Sequence, residues 1–213
     1  MFNSALRILV VAGFALAAGA LPLRAETIEG VAFGDSLMAG FELPPGADFP
    51  ARLEAALIDE GYDVAIANAA VSGDTTSAGL ARLDWSVPDG TDFVILELGG
   101  NDALRGVDPA IVRDNLDRMI TRLKARDIDV ILAGMIAPPN MGEDYAARFN
   151  PIYAELAETH DVPLDPFFLE GAATVEGMMQ PDGIHPTQAG VAVMVERFLP
   201  IMRRYLDTRG NKS

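Results

Sequence analysis

A serine, an aspartate and a histidine stand in this chain at positions from which they could form a nucleophilic triad. Gly34-Asp35-Ser36-Leu37 follows an apolar run near the N-terminus, and Asp182 precedes His185 by three residues near the C-terminus. A serine hydroxyl attacks an ester when a histidine accepts its proton and an aspartate keeps that histidine in the required tautomer. We therefore predict Ser36 as the nucleophile, His185 as the base and Asp182 as its orienting partner.

Two other interpretations of these residues stay open. Ser36 could be only a turn or N-cap residue, and Asp182 and His185 could instead bind a metal ion. The metal interpretation is disfavoured because the chain has no cysteine and only one other histidine, so nothing completes a tetrahedral zinc site. That histidine, His160, ends a predicted helix, where a cationic side chain is favourable, and we predict a structural role for it at the surface.

The oxyanion of a serine-dependent reaction needs two or three preorganised hydrogen-bond donors. Gly73 can offer a backbone N–H without a side chain that would crowd the substrate, Asn101 can offer its side-chain amide, and Ser36 can offer its own N–H. Asp35 and Asp102 stand beside these donors in sequence. We predict that both aspartates brace their loops by accepting backbone N–H bonds, and acid–base chemistry is the alternative role.

Short apolar runs alternate with helical patterns along the chain. This alternation is typical of an α/β fold, here a three-layer α/β/α sandwich with a mainly parallel sheet. The predicted strands are 27–33, 63–67, 93–98, 130–133 and 162–164, and the predicted helices are 48–60, 76–83, 109–126, 144–160 and 187–206. Ser36, Gly73 and Asn101 each follow one of the first three strands. Because ligands bind at the carboxyl ends of parallel strands, these residues are expected to meet at one edge of the sheet.

Three helices carry further local signals. Asp108 followed by Pro109 predicts an N-cap and a first helical residue. Pro151 lies inside the 144–160 pattern and removes a helical N–H, so we predict a kink there or a restart at Asn150. In the helix 109–126, a single apolar stripe is predicted to face the core, consisting of Ile111, Leu116, Met119, Ile120 and Leu123.

Residues 1–25 have the layout of a secretory signal peptide, which leaves 26–213 as one domain. A short head with one basic residue, Arg7, precedes an almost wholly apolar stretch from 8 to 23, and Ala25 is a small residue before the polar Glu26. A retained N-terminal anchor is the alternative, which the glycines and proline of the stretch weaken. We predict a periplasmic or secreted protein.

Composition excludes several classes of partner and cross-link. The 213 residues suit one domain, and the absence of cysteine excludes disulfides and a lipid-modified cysteine anchor. The net charge of −15, which becomes −17 once Arg7 and Arg24 leave with the signal, opposes nucleic-acid binding. Neutral or zwitterionic substrates suit this acidic surface better than anionic ones.

The motifs around Ser36, Gly73, Asn101 and His185 resemble those of the SGNH hydrolase superfamily, also called GDSL esterases and lipases. The serine, glycine, asparagine and histidine that define it have counterparts in Ser36, Gly73, Asn101 and His185. The segments 68–75, 97–106, 161–164 and 166–168 are similar to its periplasmic acyl-CoA thioesterase, arylesterase and lysophospholipase group. The resemblance implies a flavodoxin-like five-stranded parallel sheet between helices, no metal, no organic cofactor, and the roles predicted above.

The resemblance also bears on the substrate. It implies that the loop 135–142 lines the acyl site through Ala137, Pro138 and Met141, although that group has a leucine and a tyrosine where Ala137 and Met141 stand here. It further implies a small ester or thioester substrate, lysophospholipid included. We also predict a monomer, without stable membrane insertion after signal cleavage. Two alternatives remain: an O-acetyl esterase acting on polysaccharide, and a non-catalytic binding protein on the same fold.

Overall fold

The computed structural model describes residues 27–209, which form a five-stranded parallel sheet with flanking helices. The strands, in spatial order β2-β1-β3-β4-β5, are β1 Ile28–Phe33, β2 Val64–Asn68, β3 Phe93–Glu97, β4 Asp129–Ala133 and β5 Leu164–Asp165. Every neighbouring pair is parallel. The predicted fold class and strand number are confirmed, and each strand lies within two residues of its prediction.

Helices cover both faces of this sheet. Within residues 27–209 they are α1 Ser36–Ala39, α2 Phe49–Asp59, α3 Thr76–Ser86, α4 Gly100–Leu104, α5 Pro109–Lys124, α6 Glu143–Phe149, α7 Ile152–His160 and α8 Gln188–Thr208, with a 3₁₀ helix at Pro139–Met141. Helix α2 packs against α8, whereas α3, α5 and α7 pack in a row. All residues of the central strand β3 are buried, as expected of a strand that helices cover on both sides.

The predicted stripe of α5 is largely correct. Leu116, Met119, Ile120 and Leu123 are fully buried, but Ile111 is 48% exposed, so its assignment to the core is wrong. Val112, one position later, is buried in its place. In the first turn of this helix the apolar stripe therefore passes through residue 112, and Ile111 projects beside it.

Proline and aspartate set the helix boundaries as predicted. The Asp108 side chain accepts the Ala110 N–H at 3.1 Å, and α5 begins at Pro109. Pro151 divides the predicted helix 144–160 into α6 and α7, with α7 starting at Ile152. The short helices α1 and α4 and the 3₁₀ helix have no separate prediction, since each is shorter than a repeating apolar pattern needs to be.

A glycine lets the chain turn sharply at the end of β3. Gly99 has φ of +119°, and a Cβ atom there would stand 2.1 Å from the Tyr153 hydroxyl oxygen. That hydroxyl donates to the Leu98 carbonyl at 2.8 Å. Only glycine therefore allows α7 to lie so close to the loop that begins α4 and carries Asn101.

The predicted signal peptide, residues 1–25, lies outside the described residues. Between residues 27 and 209, none of the helices is both long enough and apolar enough to cross a membrane.

Candidate active site

The candidate site lies where the order of the strands reverses. From β1 the chain passes to β2 on one side and then to β3 on the other side of β1. The loops after β1 and β3 therefore diverge, and between them lies the crevice in which open α/β sheets bind ligands. Ser36 follows β1 and Asn101 follows β3, so both lie at this crevice.

The structure brings the three predicted triad residues together. His185 Nε2 lies 2.9 Å from Ser36 Oγ, and His185 Nδ1 lies 2.6 Å from Asp182 Oδ2. The imidazole thus bridges the carboxylate of its own loop and a serine hydroxyl 149 positions earlier in the chain. This is the geometry in which a histidine can take the serine proton while the aspartate stabilises the resulting imidazolium.

Asp182 is held in place by its own loop. Its Oδ1 accepts the Ile184 N–H at 2.9 Å and the His185 N–H at 3.1 Å. The hydrogen bond from the His185 side chain, followed by these backbone bonds, lowers the Asp182 pKa to about 2. The carboxylate is therefore ionised throughout the neutral range, and its second oxygen remains directed at the imidazole.

An aromatic contact also supports the histidine ring. The Phe41 ring lies 4.3 Å from the His185 ring, centroid to centroid, at 31°. The Gln180 amide donates to the Phe41 carbonyl at 2.9 Å and to the Pro186 carbonyl at 3.1 Å. Phe41 and Gln180 were not predicted from the sequence, because neither residue type nor spacing connects positions so far apart in the chain.

Ser36 stands at the start of a one-turn helix. The Asp35 side chain caps that helix by accepting the Leu37 N–H at 3.0 Å, which is the bracing role predicted for it. As the first residue of α1, Ser36 has an N–H that no helical carbonyl can accept. Within residues 27–209 it has no other acceptor, so it is available to a ligand.

The other two predicted donors lie on loops that are tied to Ser36. The Val71 N–H donates to the Gly34 carbonyl at 3.0 Å, which holds the loop of Gly73 beside the end of β1. Arg105 donates to the Gly73 carbonyl at 2.9 Å, whereas the Gly73 N–H has no acceptor among the described residues. The three loops at this edge of the sheet therefore behave as one hydrogen-bonded unit.

Asn101 uses one of its two amide hydrogens on a neighbour. Its Nδ2 donates to Asp35 Oδ2 at 2.8 Å. A carboxamide has two N–H donors, and within 27–209 the second has no acceptor, so it is available at the crevice. Asp102 braces the same turn as predicted, since it accepts the Thr76 N–H at 2.8 Å and the Thr76 hydroxyl at 2.7 Å.

Arg82 connects the loop after β1 to the loop after β2. It is buried, pairs with Asp74 at 2.5 Å, and donates to the carbonyls of Ala69 at 2.7 Å and Gly34 at 3.0 Å. Its guanidinium also lies 4.0 Å from the centre of the Phe33 ring. Arg82 was not predicted from the sequence either, because a single arginine in a helical pattern is usually a solvated side chain.

Of the three residues predicted to bind the acyl group, one is buried and two are half-buried. Ala137 is 6% exposed, and its N–H donates to Asn150 at 2.9 Å. Pro138 and Met141 are half-buried, and the Met141 methyl group comes within 3.5 Å of where a Cβ on Gly106 would lie. Met141 therefore packs beside the loop that carries Asn101.

The second histidine is not part of this site. His160 ends α7, as predicted, and its Nε2 lies 2.7 Å from Asp117. Its side chain is 15% exposed, so the residue lies half-buried at the helix end and is not fully at the surface. The ring fills the space beside the Asp117 carboxylate on α5. Across residues 27–209, no group of three or more His, Cys, Asp or Glu side chains is arranged to hold a metal ion.

The chain is similar to known proteins over most of its length. Residues 32–193 match the model of the GDSL-like lipase/acylhydrolase family. The chain is 44% identical over 154 residues to an arylesterase of Vibrio mimicus, covering 72% of this chain and 77% of the relative. It is 39% identical over 157 residues to thioesterase 1/protease 1/lysophospholipase L1 of Escherichia coli K12, covering 73% and 74%.

A solved structure gives the same result for the fold. The crystal structure of TesA superimposes with a TM-score of 0.79 at 40% identity, covering 83% of this chain and 98% of TesA. The matched family region contains the crevice, the serine at its edge and the histidine that faces it. The chain belongs to the GDSL-like lipase/acylhydrolase family of ester hydrolases.

Proposed function

We propose that this chain is an exported serine hydrolase that cleaves small carboxylic esters through an acyl-enzyme on Ser36. The observation that carries the proposal is the continuous hydrogen-bonded path from Ser36 Oγ through His185 to Asp182, with distances of 2.9 and 2.6 Å. The names of the relatives support ester hydrolysis in general. The covalent intermediate, its serine and export are our inference.

The first half of the reaction forms the acyl-enzyme. Ser36 Oγ attacks the carbonyl carbon of the ester while His185 Nε2 takes its proton, and the ionised Asp182 stabilises the imidazolium. The negative charge that develops on the carbonyl oxygen accepts hydrogen bonds from the N–H groups of Ser36 and Gly73 and from the Asn101 amide. The C–O bond then breaks, and the leaving alcohol takes the proton from His185.

The second half releases the acid. A water molecule gives a proton to His185 and attacks the acyl carbon, the same three donors hold the oxyanion, and Ser36 recovers its proton as the ester bond to it breaks. A thioester follows the same path with a thiol as leaving group. We propose aryl esters, lysophospholipids and acyl-CoA as substrate classes, because relatives are named arylesterase, thioesterase and lysophospholipase.

The acyl group is proposed to lie along the loop of Ala137, Pro138 and Met141. Ala137 is small and buried, so the room that a larger residue would fill is left to the substrate or to neighbouring side chains. Initial rates with p-nitrophenyl esters of increasing acyl length, compared between the wild type and Met141→Ala, test this placement. We expect the preferred length to change in the variant, and an unchanged profile would contradict the placement.

Covalent labelling tests the nucleophile. A fluorophosphonate probe should label Ser36 and no other serine, and Ser36→Ala should lower turnover on the order of 10⁵- to 10⁶-fold without loss of fold. Ser86→Ala is the matched control, because Ser86 lies at the far end of α3 and accepts a bond from Arg82 at 3.2 Å. Labelling of another serine, or none in an active protein, would contradict the proposal.

Export is proposed from residues 1–25 and has its own test. We expect the protein recovered from the periplasm or medium of a bacterial host to begin at or near Glu26. Deletion of residues 2–25 should leave it in the cytoplasm. An intact N-terminus in the membrane fraction would instead establish a retained anchor.

A further inference from the structure

Two acidic side chains are buried together beneath the nucleophile, and the mechanism above uses neither as an acid or a base. Asp35 is 1% exposed and Glu97, the last residue of β3, is 0% exposed. The Asp35 N–H donates to Glu97 Oε2 at 3.2 Å. A Cβ on Gly34 would stand 2.7 Å from the same oxygen, so the glycine before the aspartate makes room for this carboxyl group.

The two carboxyl groups are close enough that each shifts the pKa of the other. Two buried carboxyl groups can hydrogen-bond to each other only when they hold a proton between them. The surrounding donors decide which group carries the charge. Asp35 accepts the Leu37 N–H at 3.0 Å and the Asn101 amide at 2.8 Å. Glu97 accepts only the Asp35 N–H, through Oε2, and within the described residues its buried Oε1 has no hydrogen-bond partner. The charge therefore resides on Asp35 and the proton on Glu97.

The electrostatics of the pair agree with this assignment. Burial, reinforced by the charge of Asp35, raises the pKa of Glu97 well above its ordinary value. Burial also raises the pKa of Asp35, to about 6, while its hydrogen bonds from Leu37 and Asn101 oppose the increase. Both shifts favour a retained proton in the buried pair, and the surrounding donors favour Glu97 as the residue that holds it.

We propose that Glu97 is a positioning residue that stays protonated at neutral pH, donates a hydrogen bond to the Asp35 carboxylate, and through Asp35 holds the Asn101 amide at the crevice. This inference rests on the proposed function, in which the Asn101 amide stabilises the oxyanion. The chain of bonds runs from Glu97 to Asp35 to Asn101, so one end is buried in the sheet and the other meets the substrate.

Other polar groups face the pair from each neighbouring element. The Tyr153 hydroxyl of α7 donates to the Leu98 carbonyl, Asp102 of α4 is occupied by Thr76, and Arg82 of α3 donates to the Gly34 carbonyl. None of these contributes a donor to the Glu97 carboxyl group. The charge of protonated His185 lowers the pKa of Asp35. The aspartate is therefore kept ionised at the stage of the reaction when the oxyanion is present.

Two substitutions of similar size separate donation by Glu97 from simple packing. Glu97→Gln keeps a donor toward Asp35 and an acceptor for its N–H, so we expect kcat within about threefold of wild type, since no donor to the oxyanion is lost. Glu97→Met fills the space without a donor. We expect its kcat to fall about 10- to 100-fold with KM nearly unchanged, which is part of the roughly 10²- to 10³-fold loss when an oxyanion donor is removed outright.

Infrared spectroscopy detects the proton without depending on activity. A protonated carboxyl group gives a C=O stretching band that an ionised carboxylate lacks. At about pH 7.5, where ordinary carboxyl groups are ionised, wild type should show this band and Glu97→Gln should lack it. This comparison stands even if Glu97→Met does not fold.

Three results would overturn the inference. They are the absence of the band in wild type, its persistence in Glu97→Gln, and an equal effect of both substitutions on kcat. Failure of the proposed function would look different: wild type would neither hydrolyse esters nor be labelled at Ser36, whereas the band would still depend on Glu97.

Discussion

Replacing Asn101 by alanine should slow catalysis and destabilise the protein by two separable routes. One amide hydrogen donates to Asp35 at 2.8 Å, and the other is available at the crevice. Loss of the second removes an interaction that is made mainly in the transition state, so kcat should fall about 10²- to 10³-fold, or about 2.7 to 4 kcal/mol, while KM changes little.

Loss of the Asn101 amide hydrogen that donates to Asp35 leaves that carboxylate with one hydrogen-bond donor fewer. A hydrogen bond to a charged group contributes about 1.5 to 3 kcal/mol to stability. For a domain of this size, each kcal/mol changes the melting temperature by about 2 to 4 °C, so a decrease of about 3 to 12 °C is expected. The kinetics must therefore be measured well below the melting temperature of the variant, on a short-chain aryl ester.

Asn115 provides a matched control. It is a buried asparagine whose amide donates to the Thr76 hydroxyl at 3.1 Å and to the Ser77 hydroxyl at 2.9 Å, on the α5 side of the sheet. Asn115→Ala should lower the melting temperature by a similar amount and leave kcat within about threefold, because it removes bracing and no oxyanion donor.

Two results with these variants would refute the oxyanion role of the Asn101 amide. If folded Asn101→Ala retains wild-type kcat, or if Asn115→Ala loses as much kcat as Asn101→Ala, then the amide acts only through loop stability. The N–H groups of Ser36 and Gly73 would then have to hold the oxyanion alone.

Three further outcomes are expected. Asp182→Asn should lower kcat by up to about 10⁴-fold through loss of the required His185 tautomer, and full activity would remove Asp182 from the triad. Gln180→Leu should lower kcat about 10-fold, because the Phe41 and Pro186 carbonyls lose their donor and His185 is held less firmly. A misplacement of about 1 Å in a catalytic group can lower the rate about 10²-fold. An unchanged rate would refute this prediction. Burial raises the pKa of Asp165 to about 6, above roughly 3.9 in the unfolded chain. The native state thus binds the Asp165 proton more tightly than the unfolded chain does. This proton binding stabilises the native state fully below about pH 4, and the stabilisation is lost as the pH rises through 6. Asp165→Asn should therefore exceed wild type in unfolding free energy by about 3 kcal/mol above pH 6, and equal denaturation curves at pH 7.5 would contradict the reasoning.

The fold was predictable because several local signals agree. A parallel sheet buries its strands on both faces, so each strand is a short apolar run, and β3 is fully buried as its composition indicates. The proline at 151 marked the division between α6 and α7 because a missing N–H acts locally. Ile111 was misplaced because periodicity alone could not decide between it and its neighbour Val112 in the first turn of α5.

The residues predicted for the candidate site lie together, but those that position them could not be found in the same way. Ser36, His185 and Asp182 have chemistry that is recognisable from residue type and spacing. Gln180 acts by donating hydrogen bonds to the backbone carbonyls of Phe41 and Pro186. Any polar side chain of suitable length could do this, so the sequence alone does not single out Gln180. Such supports depend on which loops the tertiary structure brings within about 3 Å of each other, the length of a hydrogen bond.

Glu97 differs from those supports because the sequence does contain a signal for it. A glutamate that ends an otherwise apolar central strand conflicts with the requirement that buried charges be paired. Natural chains retain such conflicts mainly at sites of function. In this protein the conflict is resolved by a shared proton: Glu97 can be buried only as a neutral acid, and a neutral acid can donate to Asp35. The same burial that makes the residue unfavourable for folding therefore makes it a donor, directed along a path of hydrogen bonds that ends at the Asn101 amide.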